Sequence, residues 1–170
     1  RWNVNVQQRL FALIRALGAR FDKEPCVEGI SNVDTSVRMR LDELEAYIRQ
    51  NPATQPYDDD AFIASIKAEM NAMKEAFPHS VAIYNIDFLP NQRRARELCE
   101  HALAVGVGIG GPVAVENRWL EMGAYGHHAK LAGQVPLGNY MHWGGYGQRR
   151  ADGTPVTVEE VLFFARDRLR

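Results

Sequence analysis

The sequence predicts an α/β fold built on a parallel, helix-covered sheet. After a first helix, a short apolar segment followed by a helical period recurs four times, and each connection is long enough for a right-handed crossover. The segments are mostly apolar rather than strictly alternating, which is how strands buried on both faces read.

Taken in order, Val6, Leu10, Leu13, Ile14 and Leu17 carry helical spacing over 4–18, with Gly18 near the expected C-terminal cap. "KEP" turns the chain into a strand at 27–33. Leu41, Leu44 and Ile48 mark a helix over about 37–50, which "NP" closes. "NPATQPYDDD" is a loop, and its aspartates 58–60 fall at the N-cap and first turn of a long helix over 59–77. "SVAIYNIDFLP" is the second strand, broken by Pro90, and a helix follows over 91–105. "GVGIGGP", 106–112, is a short glycine-rich third strand. A short helix over 117–132 precedes the fourth strand, "VPLGNYMHW", at 135–143. The last helix, 157–169, opens with Thr157 and Glu160 in capping-box spacing.

One domain of 170 residues with 46% hydrophobic and 24% charged residues can bury a real core. A net charge of −1 supplies no electrostatic pull toward nucleic acid or an anionic membrane, and no apolar run reaches the roughly 20 residues that cross a bilayer. Neither nucleic acid nor membrane is therefore an expected partner. Cys26 and Cys99 are too few for a disulfide framework or a zinc site and read as buried free thiols. No metal is expected either. Consecutive aspartates point in different directions, and the adjacent His127 and His128 diverge by about 100° on a helix. Glycines 106, 108, 110 and 111 do not form a dinucleotide fingerprint, because Pro112 and not a helix follows them, so no cofactor is expected.

Two architectures fit: an open doubly wound sheet, or part of a (β/α)8 (TIM) barrel. "ALGARFDKEPCVEGISNVDTS" resembles the third-helix and fourth-strand region of (β/α)8-barrel glycoside hydrolases. "AFPHSVAIYNIDFLP", "GVGIGGP" and "PVTVEEVLFFARDRLR" are similar to later β-α units of the same superfamily, in order. The resemblance spans nearly the whole chain and implies that the four strands are the barrel's fourth to seventh. Residues 1–170 are then expected to be an excerpt of a larger barrel, whose missing half, or a second copy, would be a partner.

Active sites of such barrels lie at the C-terminal strand ends. Those ends deliver Asn32 and Asp34, then Tyr84, Asn85 and Asp87, then Gly110 and Gly111 with Glu116 beyond. The fourth strand delivers Asn139, Tyr140, His142 and Trp143. Glycoside hydrolysis uses two carboxylates, about 5–5.5 Å apart for retention and about 6.5–9.5 Å for inversion. Amides and histidine bind sugar hydroxyls, and flat rings stack on a pyranose.

The resemblance implies Asp34 as the acid/base, where the superfamily usually carries a glutamate. Asp is shorter by one C–C bond, about 1.5 Å. Read from the residues alone, Asp34 serves equally as the cap of the next helix. Asp87 or Glu116 is the expected second carboxylate, since "VPLGNYMHW" holds no acid. Asn32, Tyr84, Asn85, Tyr140, His142 and Trp143 are the expected substrate contacts. Two alternatives stand beside hydrolysis: a non-catalytic glycan-binding barrel, and an open α/β interaction domain. "YMHWGGYGQRR", with Arg149 and Arg150, suits a loop rimming a sugar cleft as well as it suits single-stranded nucleic acid.

Overall fold

A computed structural model describes residues 2–32, 35, 41–51, 56–86, 89–111, 123–139, 148–150 and 152–168. Its elements in chain order are α1 (Val4–Phe21), β1 (Gly29–Ser31), α2 (Leu41–Gln50), α3 (Asp59–Ala76) and β2 (Val81–Asn85). A 3-10 turn (Gln92–Arg94) leads into α4 (Ala95–Val105), followed by β3 (Gly108–Gly111), α5 (Tyr125–Leu131), β4 (Leu137–Asn139) and α6 (Val158–Arg168).

The strands form one sheet in the order β1-β2-β3-β4, every neighbouring pair parallel. The mixed α/β class and the parallel sheet agree with the sequence reading. The sheet is not closed: among the described residues it has two open edges, at β1 and β4. The helices stand side by side in chain order, α1 on α3, α3 on α4 and α4 on α5.

The core lies between sheet and helices. Phe62, Ile66, Met70 and Met73 of α3 pack with Leu98 and Ala102 of α4 against Ala82, Tyr84 and Ile109 from the strands. Strand alternation produces this layer. Ala82 and Tyr84 face the helices, while Ile83 and Asn85 take the other face. On that other face Ile83 lies across bare glycines. A Cβ on Gly108 or Gly110 would come within 3.0–3.1 Å of Ile83 carbons, and one on Gly138 within 3.2 Å.

Helix ends follow their capping chemistry. Asn3 caps α1 by accepting from the N–H groups of Asn5 and Val6, and Asp58 caps α3 by accepting from Ala61 at 2.6 Å. Thr157 and Glu160 make the expected reciprocal box, Thr157 N–H to Glu160 Oε2 at 2.9 Å and Glu160 N–H to Thr157 Oγ1 at 3.3 Å.

Three expectations need correction. Gly18 does not end α1, which runs on to Phe21; it is small because α3 passes there, and a Cβ would sit 2.2 Å from the Ala76 carbonyl oxygen. Gly106 is not the start of β3 but the left-handed C-cap of α4, at φ 73°, its N–H reaching the carbonyls of Ala102 and Leu103. Cys26 is exposed, because it lies in the turn before β1 rather than under a helix. Cys99 is buried, and burial pushes its thiol up to about 12.

At the N-terminal end of the sheet, Asp22 ties the turn after α1 to the turn before β2. Its carboxylate accepts from the backbone N–H groups of His79 (3.1 Å) and Ser80 (3.0 Å) and from His79 Nδ1 (2.7 Å). Burial pushes this carboxyl up, but the hydrogen bonds from His79 and Ser80 outweigh it and hold the pKa below the ordinary carboxylate range. A group lowered in the folded state stabilises fully above its unfolded pKa, about 3.9, and ceases to as pH falls through the folded value. Asp22→Asn should therefore flatten the acid limb of the stability profile below about pH 4. Urea midpoints measured from pH 3 to pH 7 for both proteins check this; parallel profiles would contradict it.

Candidate functional site

The C-terminal strand ends carry a network of short polar side chains. Strand β1 stops at Ser31, where Asn32 N–H still reaches the Ile83 carbonyl at 3.3 Å. The Asn32 carboxamide then takes over the ladder: its Oδ1 accepts the backbone N–H of Asn85. A side-chain oxygen thus does what the next backbone carbonyl of β1 would otherwise do.

Asn85 itself is 2% exposed. Its Nδ2 donates to Ser31 Oγ at 2.7 Å and to the Asn32 carbonyl, and Ser31 Oγ donates to that same carbonyl at 3.0 Å. The Asn85 Oδ1 rests over β3, where a Cβ on Gly110 would come within 1.8 Å of it. Gly110 is glycine because the carboxamide occupies that space. Three strands therefore fix one amide side chain at the sheet's C-terminal rim, with little rotamer freedom left to lose on binding.

Tyr84, expected at the same rim, faces the other way. It is fully buried on the helix side, and its hydroxyl donates to Glu69 Oε2 of α3 at 2.7 Å. Asn139 also leaves the Asn85 face. It pairs in register with Gly111, and a Cβ on Gly111 would lie 2.1 Å from Tyr125 Cε1 and 3.0 Å from Asn139 Oδ1. The Tyr125 ring, edge-on to His128 at 5.3 Å, closes over Gly111 from α5. Among the described residues the buried Asn139 Oδ1 has no hydrogen-bond partner.

Of the sequence-predicted contacts, Asn32 and Asn85 are brought together. Asp34, Asp87, Glu116, Tyr140, His142 and Trp143 lie outside the described residues. Sequence reasoning overlooked Ser31, which becomes visible only once the register is known. It also overlooked Glu69, although a glutamate between Ile66 and Met73 on an apolar helix stripe is a visible anomaly. A third missed signal is a repeat in the sequence, Asn32-Val33-Asp34 and Asn85-Ile86-Asp87, whose asparagines stand at the ends of adjacent strands.

Two of the three aspartates at 58–60 are paired by an arginine of the 3-10 turn before α4, while Asp58 caps α3. Arg94 donates to Asp59 (3.0 Å), Asp60 (2.7 Å) and Glu97 (2.8 Å), and Tyr57 donates to Asp59 at 2.7 Å. Among the described residues no cluster of three or more His, Cys, Asp or Glu side chains is placed to hold a metal ion. Asp22, His79 and Ser80 superficially suggest a nucleophilic triad. They sit at the opposite end of the sheet, and Ser80 Oγ donates to the Asp22 backbone carbonyl at 3.1 Å rather than to the imidazole. No helix among the described residues is long and apolar enough to cross a membrane.

No protein-family model, curated protein or solved structure matches the chain.

Proposed function

We propose that the chain is a carbohydrate-active domain of the (β/α)8 glycoside hydrolase type, binding sugar at the C-terminal rim of its sheet. The observation that carries this is the Asn85 carboxamide, held by Ser31 and Asn32 and bedded on Gly110. A carboxamide oxygen can accept from a sugar hydroxyl, the two Asn85 N–H groups being committed to Ser31 and Asn32, and the C-terminal strand ends are where parallel α/β enzymes place their ligands. Asn32 acts here as a positioning residue for Asn85. Asp34 serves as general acid/base, with Asp87 or Glu116 as the second carboxylate; Tyr140, His142 and Trp143 complete the sugar contacts.

A glycan-binding domain without hydrolysis is the second reading. The acid-free segment 135–143 and the aspartate at position 34 favour it. Release of reducing sugar from cello-, manno-, xylo- and chito-tetraose, measured for the chain and its Asp34→Asn variant, separates the two. Hydrolysis predicts release that the variant loses. Binding without release in both proteins supports the second reading, and neither binding nor release would overturn the carbohydrate assignment.

A further inference from the structure

The helix layer carries a second concave site, which shares no residue with the Asn85 network. A groove of about 200 Å³ lies between α4 and α5. Positions 96, 99, 100 and 103 of α4 are three and four apart and so fall on one helix face, as do 127, 130 and 131 of α5. Cys99, Leu103 and Leu131 make an apolar floor, Cys99 and Leu131 being buried and Leu103 partly so. Arg96, Glu100 and Lys130 stand exposed at the rim, with His127 half-buried beside them.

The rim charges do not cancel. Arg96 Nε donates to Glu100 Oε1 at 2.7 Å, one helical turn on, so this pair is neutral. Lys130 has no carboxylate in ion-pair contact among the described residues. Burial, joined by the positive charges of Lys130 and Arg96 and opposed by Glu100, pushes the His127 imidazole below its ordinary value, which leaves the ring neutral at pH 7. Arg96 and Lys130 against Glu100 therefore leave one positive charge, over an apolar floor.

That combination selects an amphiphile with a single negative charge. A dianion such as phosphate would set its second charge against Glu100 and leave the floor unfilled. A cavity of about 150 Å³ takes benzene, so about 200 Å³ has space for one ring and a carboxylate.

We propose that the groove between α4 and α5 binds a small monocarboxylate whose hydrocarbon body is about the size of one aromatic ring. The body covers Cys99, Leu103 and Leu131, while the carboxylate pairs with Lys130 and accepts a hydrogen bond from the His127 ring. Cys99 contributes surface and not a nucleophile, since its buried thiol stays protonated at neutral pH.

The test is a titration of the ¹⁵N-labelled 170-residue chain with benzoate, phenylacetate and hexanoate, beside benzyl alcohol and inorganic phosphate. Saturable shifts of the Cys99, Leu103 and Leu131 amide signals are expected with at least one carboxylate and with neither control. Lys130→Gln should weaken that binding by about fivefold or more, and Lys130→Arg should retain it. Lys23→Gln, in the turn after α1, should leave it unchanged. Both lysines are exposed, so the fold tolerates these substitutions. With the carboxylate bound, the midpoint of His127 protonation should also rise, because a neighbouring anion favours the imidazolium. The proposal is overturned if no carboxylate gives saturable shifts, if benzyl alcohol or phosphate binds the groove as tightly, if binding survives Lys130→Gln undiminished, or if the His127 midpoint stays where it was.

Discussion

Gly110→Ala is expected to dismantle the candidate site while leaving the sheet in place. The new Cβ would lie 1.8 Å from Asn85 Oδ1 and 3.1 Å from Ile83 Cγ2, so the carboxamide must swing away. Leaving costs Asn85 its bonds to Ser31 Oγ and the Asn32 carbonyl, about 1 kcal/mol each, with an overpacking cost of about 1 kcal/mol added. The expected loss is about 3 kcal/mol by urea unfolding, with m unchanged. Glycan binding should weaken by about fivefold or more, which is what losing one hydrogen bond of about 1 kcal/mol amounts to. Asn85→Ala removes the clashing atom. Adding Gly110→Ala to it should therefore cost much less than in the native background, giving a coupling of about 1 kcal/mol or more. Additive losses would show that Gly110 is glycine for another reason.

Gly18→Ala should separate α1 from α3. Alanine is the better helix former by about 1 kcal/mol. Against that gain stand the Ala76 carbonyl oxygen at 2.2 Å and its carbon at 2.7 Å from the added Cβ. These are backbone atoms of a neighbouring helix and cannot rotate aside, so the overpacking cost belongs near the top of its usual range, about 3 kcal/mol. The clash wins, and a net loss of about 2 kcal/mol is expected, a fall of roughly 4–8 °C in Tm for a chain of this size. A stabilised variant would mean that the helices part at little cost.

Periodicity made the fold class legible. The stripe Phe62, Ile66, Met70, Met73 and Phe77 is buried as its 3.6-residue spacing implies, and capping residues placed the starts of α3 and α6. The apolar runs extend beyond the strands seen among the described residues: in "SVAIYNIDFLP" the strand spans Val81–Asn85, with Ile86 N–H still reaching the Gly110 carbonyl. Glycine was misjudged twice for opposite reasons. Gly18 answers to a tertiary contact that local sequence does not encode, and Gly106 to a positive φ that resembled strand flexibility. At the site, the strand-end rule found Asn32 and Asn85. The two-residue alternation that would have turned Tyr84 to the helix side was present in the sequence, but only a known register shows which face is which. Ser31 and Gly110 required the third dimension altogether.

The most direct test of the carbohydrate assignment is a titration of the ¹⁵N-labelled chain with cello-, manno-, xylo- and chito-tetraose, following the Asn85 and Asn32 side-chain amide signals. Saturable shifts of both amides are expected with at least one of these sugars, abolished in Asn85→Ala while the remaining spectrum stays folded. Absence of shifts with every sugar, or saturable binding that Asn85→Ala leaves intact, would contradict the assignment.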